Sequence, residues 1–571
     1  MKYFTTSLFF TLYCAVLLQA QQLPKSDADI LQSLEHNLSY LADDRMEGRL
    51  TGSRGEKMAY EFISENFQSL NLRPKGTQGY LQEFSIKRLS YQFQNTFLII
   101  KNKSGEIKFD KINPIKNYPL EGTGVGKADA KCIWVGYGIE ANELNYNDYA
   151  NKKGLKGKIH VMRFGYPEPE NPHSPFAAFA NIEKKVDAAF KYGAVAVIMV
   201  NTDNKHIVPD FKPILRSSKL GKLPLYLLTT NTGLDSAMFE NAYAKMQIDT
   251  TTMVLKGHNV IGYIDYKAEN TIVIGAHYDH LGYNELGGST YKKQQNEAPQ
   301  IHNGADDNAS GTVALIELAE IIQKSPFRNH NYLFIAFSGE EQGLLGSKYF
   351  VDNPTINLSQ VNYMINLDMV GRLDTIKNAF SICGTGTSPK WDSVLTTIPT
   401  GNIKPKFDPS GTGASDHTSF YNAGIPVLHY FTGTHYDYHK PSDDWELINF
   451  KGILFIVKHI YTLIGKLDKQ PKLLFTKTKD TQSTSSTFKV TLGIMPDYLF
   501  EGKGVKVDGT TPGKPAANAG IQKGDILLKV GSYETNNMED YMGALGKFEK
   551  GQKVIIVYLR AGQILEAEVT F

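Results

Sequence analysis

Residues 271–282 read TIVIGAHYDHLG, and residues 331–343 read NYLFIAFSGEEQG. In each, a short run of β-branched and aromatic residues, of the kind that forms a strand buried on both faces, ends abruptly in ionisable residues. The stretch 361–372, VNYMINLDMVGR, repeats the pattern, and IPVLHYF at 425–431 supplies a fourth apolar run. Ser310 to Gln323 and Phe450 to Ile464 show helical periodicity instead. Alternation of strands with helices predicts an α/β fold, a mostly parallel mixed sheet with helices on both faces. Sites in such sheets lie beyond the carboxyl ends of the strands. His277, the pair Glu340–Glu341 and Asp368 each follow one of these strands, so groups far apart in sequence are predicted to converge.

Two more ionisable motifs join them, GADDNASG at 304–311 and HYDYHKPSDDW at 435–445. Imidazoles and carboxylates in this setting are the nitrogen and oxygen ligands of a two-metal hydrolase, and His277, Asp307, Glu341, Asp368 and His439 are the candidate ligands. Two zinc ions about 3.5–4 Å apart acidify a shared water and clamp a developing oxyanion. Ions that close need an anionic bridge, and Asp307 is the candidate, with Asp306 its rival. The ordinary role for either is turn-forming hydrogen bonds. Asp279 is placed to hydrogen-bond the His277 imidazole and hold its tautomer, against the ordinary reading of a surface-loop acid. Adjacent glutamates point different ways, so Glu341 is assigned to the metal and Glu340 to the general base that moves a proton from water to the leaving nitrogen. Asp368 ends an apolar strand, where an unpaired carboxylate is costly and a metal removes the cost. His439 has neighbours in His435 and Tyr438, and Tyr438 is a candidate donor to a tetrahedral intermediate. Asp416 and His417 in SDHTSF are further candidates for the cleft, with local hydrogen bonding as their ordinary role.

The start of the chain bears on where this chemistry takes place. Lys2 precedes an apolar run from Leu8 to Leu18, and Ala20 stands before the polar pair Gln21–Gln22. This predicts a signal peptide over residues 1–20 and an exported protein, because the run is shorter than the roughly 20 residues of a bilayer span. No later segment is long and apolar enough to cross a membrane. Once Cys14 is removed, only Cys132 and Cys383 remain, too few for a disulfide framework or a thiolate metal site. Sixty-one basic and 59 acidic residues leave a formal charge of +2, so no basic field argues for nucleic acid.

The chain divides into several expected units. Residues 21–120 open with helix, turn and helix around LADDRMEGRLTGSRGE and pass into strand-like sequence from Phe84 to Ile107. Residues 121–240 form a second unit. Its VGYGIEA, the Tyr146–Asp148–Tyr149 segment before KGLKGKI, and KYGAVAVIMVN resemble a protease-associated domain, a small β-rich insert of secreted peptidases. Residues 241–470 carry the ionisable motifs, and residues 471–487, ending in KTKDTQSTSST, read as a linker. Residues 488–571 resemble a PDZ domain through TLGIMPDY and AANAGIQKGDILLKVGS. Such a domain adds a peptide or protein C-terminus as a strand beside the loop containing Leu492–Gly493–Ile494.

As a set, the five motifs and EGRLTGSRGE resemble the co-catalytic di-zinc aminopeptidase family, which also contains glutamate carboxypeptidases and the transferrin receptor. The resemblance implies a zinc exopeptidase fold and two zinc ions. By it, His277 and Asp368 hold one ion, Glu341 and His439 the other, and Asp307 bridges, with Glu340 as base and Asp279 orienting His277. All seven positions carry the expected residue type, which disfavours the inactive receptor-like branch, and the intact His277 and Asp279 argue against the one-zinc glutaminyl cyclases. The expected activity is removal of N-terminal residues from peptides. A carboxypeptidase of the same family and a non-catalytic binding or receptor protein are the alternatives.

Overall fold

The computed structural model describes residues 23–91, 95–103, 105–109, 117–119, 123–168, 174–179, 181–201, 221–229, 236–291, 293, 297–478, 490–496, 500, 502–510, 513–536 and 538–571. The expected signal peptide and the Ser/Thr-rich part of the expected linker, 479–487, lie outside these residues.

Eight strands build the principal sheet: β1 (Leu81–Tyr91), β2 (Thr250–Ile264), β3 (Thr271–His277), β4 (Asn331–Phe337), β5 (Val361–Leu367), β6 (Ala379–Cys383), β7 (Lys404–Asp408) and β8 (Val427–Phe431). Among the described residues the short strand Arg73–Pro74 is the ninth. The order runs β2–β4–β3–β5–β8–β6–β7, with β1 paired along β2. The four central strands, β4, β3, β5 and β8, are mutually parallel, and antiparallel pairs occur only toward the edges. This is the mixed sheet that the alternation of motifs predicts, parallel through its centre and antiparallel toward its edges.

Helices cover both faces. On one side Ile272, Ile274 and Ala276 of β3 and Tyr332, Phe334 and Ala336 of β4 pack against α1 (Asp27–Leu41), α2 (Arg54–Ser69) and α3 (Gly311–Lys324). On the other, Val273, Leu333, Ile335 and Phe337 meet Phe350 of α4 (Leu345–Asp352) and Phe420 of α5 (His417–Asn422). The long helix α6 (Phe450–Leu467) closes the first side. Full burial of one such side chain contributes roughly 1.5–3 kcal/mol, so both faces of β3 and β4 select apolar residues and the strands read as unbroken runs.

Between β1 and β2 the chain departs to form a second sheet, of eight strands among the described residues. Tyr243–Ile248 lies at its heart, between Phe97–Asn102 and Gly126–Trp134. Its parallel part is Gly126–Trp134, Ile159–Arg163, Ala196–Val200 and Leu225–Leu228. Leu98, Ile100, Ile198 and Met246 fill one core of this unit, and Met162, Val197 and Leu225 another. Exit and entry strands are hydrogen-bonded neighbours, so the insertion leaves the principal sheet continuous. Strand Phe97–Asn102, which the sequence pattern groups with the first unit, belongs to this second sheet. A six-stranded sheet built from residues 494–570, with the helix Met538–Leu545, ends the chain. No helix among the described residues is long and apolar enough to cross a membrane.

Candidate active site

The parallel strands β3, β4 and β5 release His277, Glu340–Glu341 and Asp368 at the same end of the sheet, and the loop after β8 brings His439 to them. The centre is the carboxylate of Asp307. Its Oδ1 lies 3.3 Å from His277 Nε2, which is also 3.3 Å from Asp368 Oδ1. Its Oδ2 lies 3.0 Å from His439 Nε2, which is 3.2 Å from Glu341 Oε1. All five expected ligands thus meet, each oxygen of Asp307 facing its own imidazole and carboxylate.

Each member is held by its surroundings. Asn308 accepts hydrogen bonds from Gly311 and Met369 N–H and donates to the Leu367 carbonyl, tying the Asp307 loop to the Asp368 loop. Asp443 accepts from both Asp306 N–H (3.0 Å) and Asp307 N–H (3.1 Å). The buried Arg49 donates to the carbonyls of Tyr278, Leu41, Asn303 and Gly304, joining the loop after β3 to the loop before Asp307. His439 has a left-handed backbone (φ 56°), which costs a non-glycine residue roughly 1–2 kcal/mol. Its carbonyl accepts from Thr290 N–H and Ser289 Oγ, and its Nδ1 lies 3.0 Å from the Gly288 carbonyl, leaving Nε2 to face the carboxylates.

The N-terminal stretch contributes a buried relay. Glu56 accepts from Ser338 Oγ (2.7 Å), Ser338 Oγ lies 3.2 Å from Thr51 Oγ1, and Thr51 donates to Asp279 Oδ2 at 3.0 Å. The other oxygen of Asp279 accepts from Glu340 N–H at 3.1 Å. His277 Nδ1 is closest to the Asp279 backbone carbonyl (3.1 Å), with the carboxylate at 3.7 Å. Asp279 therefore touches both the imidazole and the backbone of Glu340.

The electrostatics ask for a cation. Burial disfavours charge on His277, but Asp368, Glu340, Asp279 and Asp307 outweigh it and hold the imidazole well above its ordinary range. His439 is raised in the same way by Glu341 and Asp307. Burial pushes Glu340 up, and Asp368, Glu341 and Asp416 add to the rise against the opposing His277. Asp416, fully buried, is pushed up to about 7, first by burial. Carboxylates this crowded retain protons, or protonate neighbouring imidazoles, unless divalent cations replace those protons. The nitrogen and oxygen donors fit zinc, and two donor groups stand close enough for ions: His277, Asp307 and Asp368, and His280, Asp307 and Glu341.

The rivals found one another instead. His435 Nε2 lies 3.1 Å from Asp306 Oδ2, and Asp306 Oδ1 accepts from Gly371 N–H and Ser310 Oγ. Tyr438 stacks its ring on the His439 imidazole, with centroids 3.9 Å apart. His417 is buried and stacked on His429. The sequence reading passed over His280, whose Nδ1 lies 2.7 Å from Glu341 Oε1. It also passed over Arg49, Thr51, Asn308 and Asp443. His280 stands as a second histidine in AHYDHLG, three residues past the strand end, in the irregular segment that follows it.

Comparison with known proteins adds to this geometry. Residues 259–463 match peptidase family M28, and residues 475–571 match the PDZ domain. Aminopeptidase YwaD of Bacillus subtilis (strain 168) is 28% identical over 310 residues, 51% of this chain and 61% of that protein. Leupeptin-inactivating enzyme 1 of Streptomyces exfoliatus is 32% identical over 145 residues, 23% of this chain and 30% of that protein. The matched stretches thus span less than two thirds of both relatives. A solved zinc aminopeptidase from Bacillus subtilis aligns over 79% of this chain and 99% of its own, at 22% identity and a TM-score of 0.48. The likeness to peptidase family M28 thus takes in every residue from His277 to His439 that meets at the site, and the likeness to the PDZ domain takes in the C-terminal residues 475–571.

Proposed function

We propose that the protein is an exported, zinc-dependent aminopeptidase that removes N-terminal residues from peptides. One observation carries the reading: His277 and Asp368 meet one oxygen of Asp307, while His439 and Glu341 meet the other. In this reading His277, Asp307 and Asp368 would hold one zinc ion, and Asp307, Glu341 and His439 the second. When bound, the ions supply the Lewis acidity that polarises a peptide carbonyl and acidifies water near neutral pH. Glu340 takes the proton of the attacking water and delivers it to the departing amine, a role suited to the glutamate whose backbone Asp279 fixes. Asp279 also steadies the His277 ring. Tyr438, stacked beside His439, donates its hydroxyl to the oxygen that gains charge as the carbonyl is attacked.

The names of the relatives support the aminopeptidase reading, several being described as aminopeptidases. The remaining parts follow the same reading: a signal peptide over 1–20, a protease-associated insert, a linker over 471–487 and a PDZ domain that takes a peptide or protein C-terminus. The test is a panel of free, N-blocked and C-blocked peptides, assayed with and without chelator. Cleavage of free and C-blocked peptides, lost on N-blocking and on chelation, is expected. Cleavage of N-blocked peptides with C-blocked ones intact identifies a carboxypeptidase, and activity after exhaustive chelation removes the metal mechanism.

A further inference from the structure

The two halves of the site are not equivalent. Around Asp307 Oδ1 stand His277 and Asp368, one nitrogen and one oxygen. Around Oδ2 stand Glu341, His439 and a third histidine, His280. We infer that His280 is a direct protein ligand of the second metal, giving that pocket two imidazoles and two carboxylates, whereas the first keeps one imidazole and two carboxylates. The inference rests on the two-zinc reading above and extends it.

Four observations carry it. First, His280, Asp307 and Glu341 lie close enough to share one ion, the two His280 distances falling on either side of the ideal donor spacing. A tetrahedral zinc with bonds of about 2.0–2.1 Å holds its donors roughly 3.3 Å apart. His280 Nδ1 lies 2.7 Å from Glu341 Oε1 and 3.9 Å from Asp307 Oδ2, and His439 Nε2 lies 3.2 and 3.0 Å from the same two atoms. Second, His280 is fully buried, and among the described residues neither of its ring nitrogens has a partner in hydrogen-bonding geometry, although Glu341 Oε1 is so near. The Nδ1 direction misses the oxygen, as it does when nitrogen and oxygen occupy neighbouring vertices around a shared ion. Third, the ring is housed. A Cβ on Gly304 would come within 2.5 Å of His280 Cγ and Cδ2, so the loop before Asp307 presses flat against the imidazole. Fourth, the His280 and His439 rings stand at 70° with centroids 5.6 Å apart, a crossing that lets one nitrogen of each point into a common space.

The consequence is a division of labour. The pocket of His280 and His439 would offer its ion four protein donors against three in the other pocket, so it is expected to hold that ion more firmly. The pocket of His277 and Asp368 is left with room for water and the substrate's amino end.

The alternative role for His280 is a hydrogen-bond donor that orients Glu341, and two variants separate the roles. His280→Ala removes both a ligand and a donor. His280→Asn keeps an N–H near the position of Nδ1 but is a poor zinc ligand. Zinc content by elemental analysis, competition with a graded chelator, and zinc K-edge X-ray absorption supply readouts independent of activity. The wild type is expected to bind two zinc ions with three imidazoles between them, one ion resisting chelator far better than the other. Both variants are expected to lose the resistant ion, their affinity falling by more than the 10–100-fold typical of an orienting partner. Two zinc ions with only two imidazoles, or resistance restored by asparagine, overturns the inference and leaves the two-zinc reading standing. A wild type that binds no zinc overturns both. The absorption measurement on the wild type stands even if a variant does not fold.

Discussion

At the scale of single residues, adjacency is what the sequence states poorly. Asp306 and Asp307 are chemically identical, and so are His435 and His439, yet one of each pair joins the central cluster and the other two meet each other. The choice depends on a loop whose backbone N–H groups are captured by Asp443, more than a hundred residues away, and no local pattern encodes that. The apolar strand ends, by contrast, marked His277, Glu340, Glu341 and Asp368 directly, because strand termini fix where a residue must emerge. Glu340→Gln keeps the shape of the base and removes its proton affinity. We expect kcat to fall by about 10²–10⁴-fold with the bound zinc unchanged, measured by steady-state kinetics beside metal analysis. Thr51→Val deletes the hydroxyl between Ser338 and Asp279 and leaves buried acceptors unpaired, a cost of about 1–3 kcal/mol. A fall in kcat that Thr51→Ser reverses is the expected sign that the relay positions Asp279, and unchanged kinetics would reduce Thr51 to a packing residue.

Elements add constraints that residues alone do not carry. Arg49 spans four carbonyls from three segments, a geometry only a guanidinium fork can satisfy. Burial lowers its pKa to about 10, with Asp279, Asp307, Asp443 and Glu341 opposing, so it stays charged at neutrality. Arg49→Lys is expected to destabilise the protein by about 3 kcal/mol or more, read as a lower melting temperature. In the inserted unit, Lys185 of the helix Ile182–Lys191 is buried with its ammonium on the Arg163 and Gly165 carbonyls, and burial lowers its pKa to about 7 against the pull of Asp148. Between that value and the ordinary 10.5 the unfolded chain binds the proton more readily than the folded one, so this lysine makes the fold gain stability as pH rises from 7 to 10.5. Thermal melts across that range should show the gain in wild type and lose it in Lys185→Met. Parallel slopes for the two proteins would contradict the assignment. Neither residue was legible as a structural cation, because burial of a charge depends on packing between segments distant in sequence.

The whole molecule shows why its boundaries were harder to read than its chemistry. Strand–helix alternation from Thr271 onward carries its own architecture, and the principal sheet follows it. Phe97–Asn102 has a strand pattern that fits either sheet, and only its pairing with Tyr243–Ile248 assigns it. At the other end, the C-terminal unit touches the principal unit through Thr434 Oγ1 to the Pro496 carbonyl and Lys406 Nζ to the Phe500 carbonyl. Every proposed metal donor lies between His277 and His439, and Thr476 and Thr478 still bond to the principal unit through Thr387 and Tyr421. A chain ending at Thr478 should therefore keep both zinc ions and hydrolyse dipeptides, as metal analysis and peptide assay can establish.

The central claim is that one aspartate joins two metal ions. Anomalous diffraction at the zinc edge from zinc-loaded crystals tests it most directly. Two peaks are expected, one on each side of the Asp307 carboxylate, the first beside His277 and Asp368 and the second beside Glu341 and His439. A single peak, or peaks elsewhere with Asp307 untouched, would contradict it.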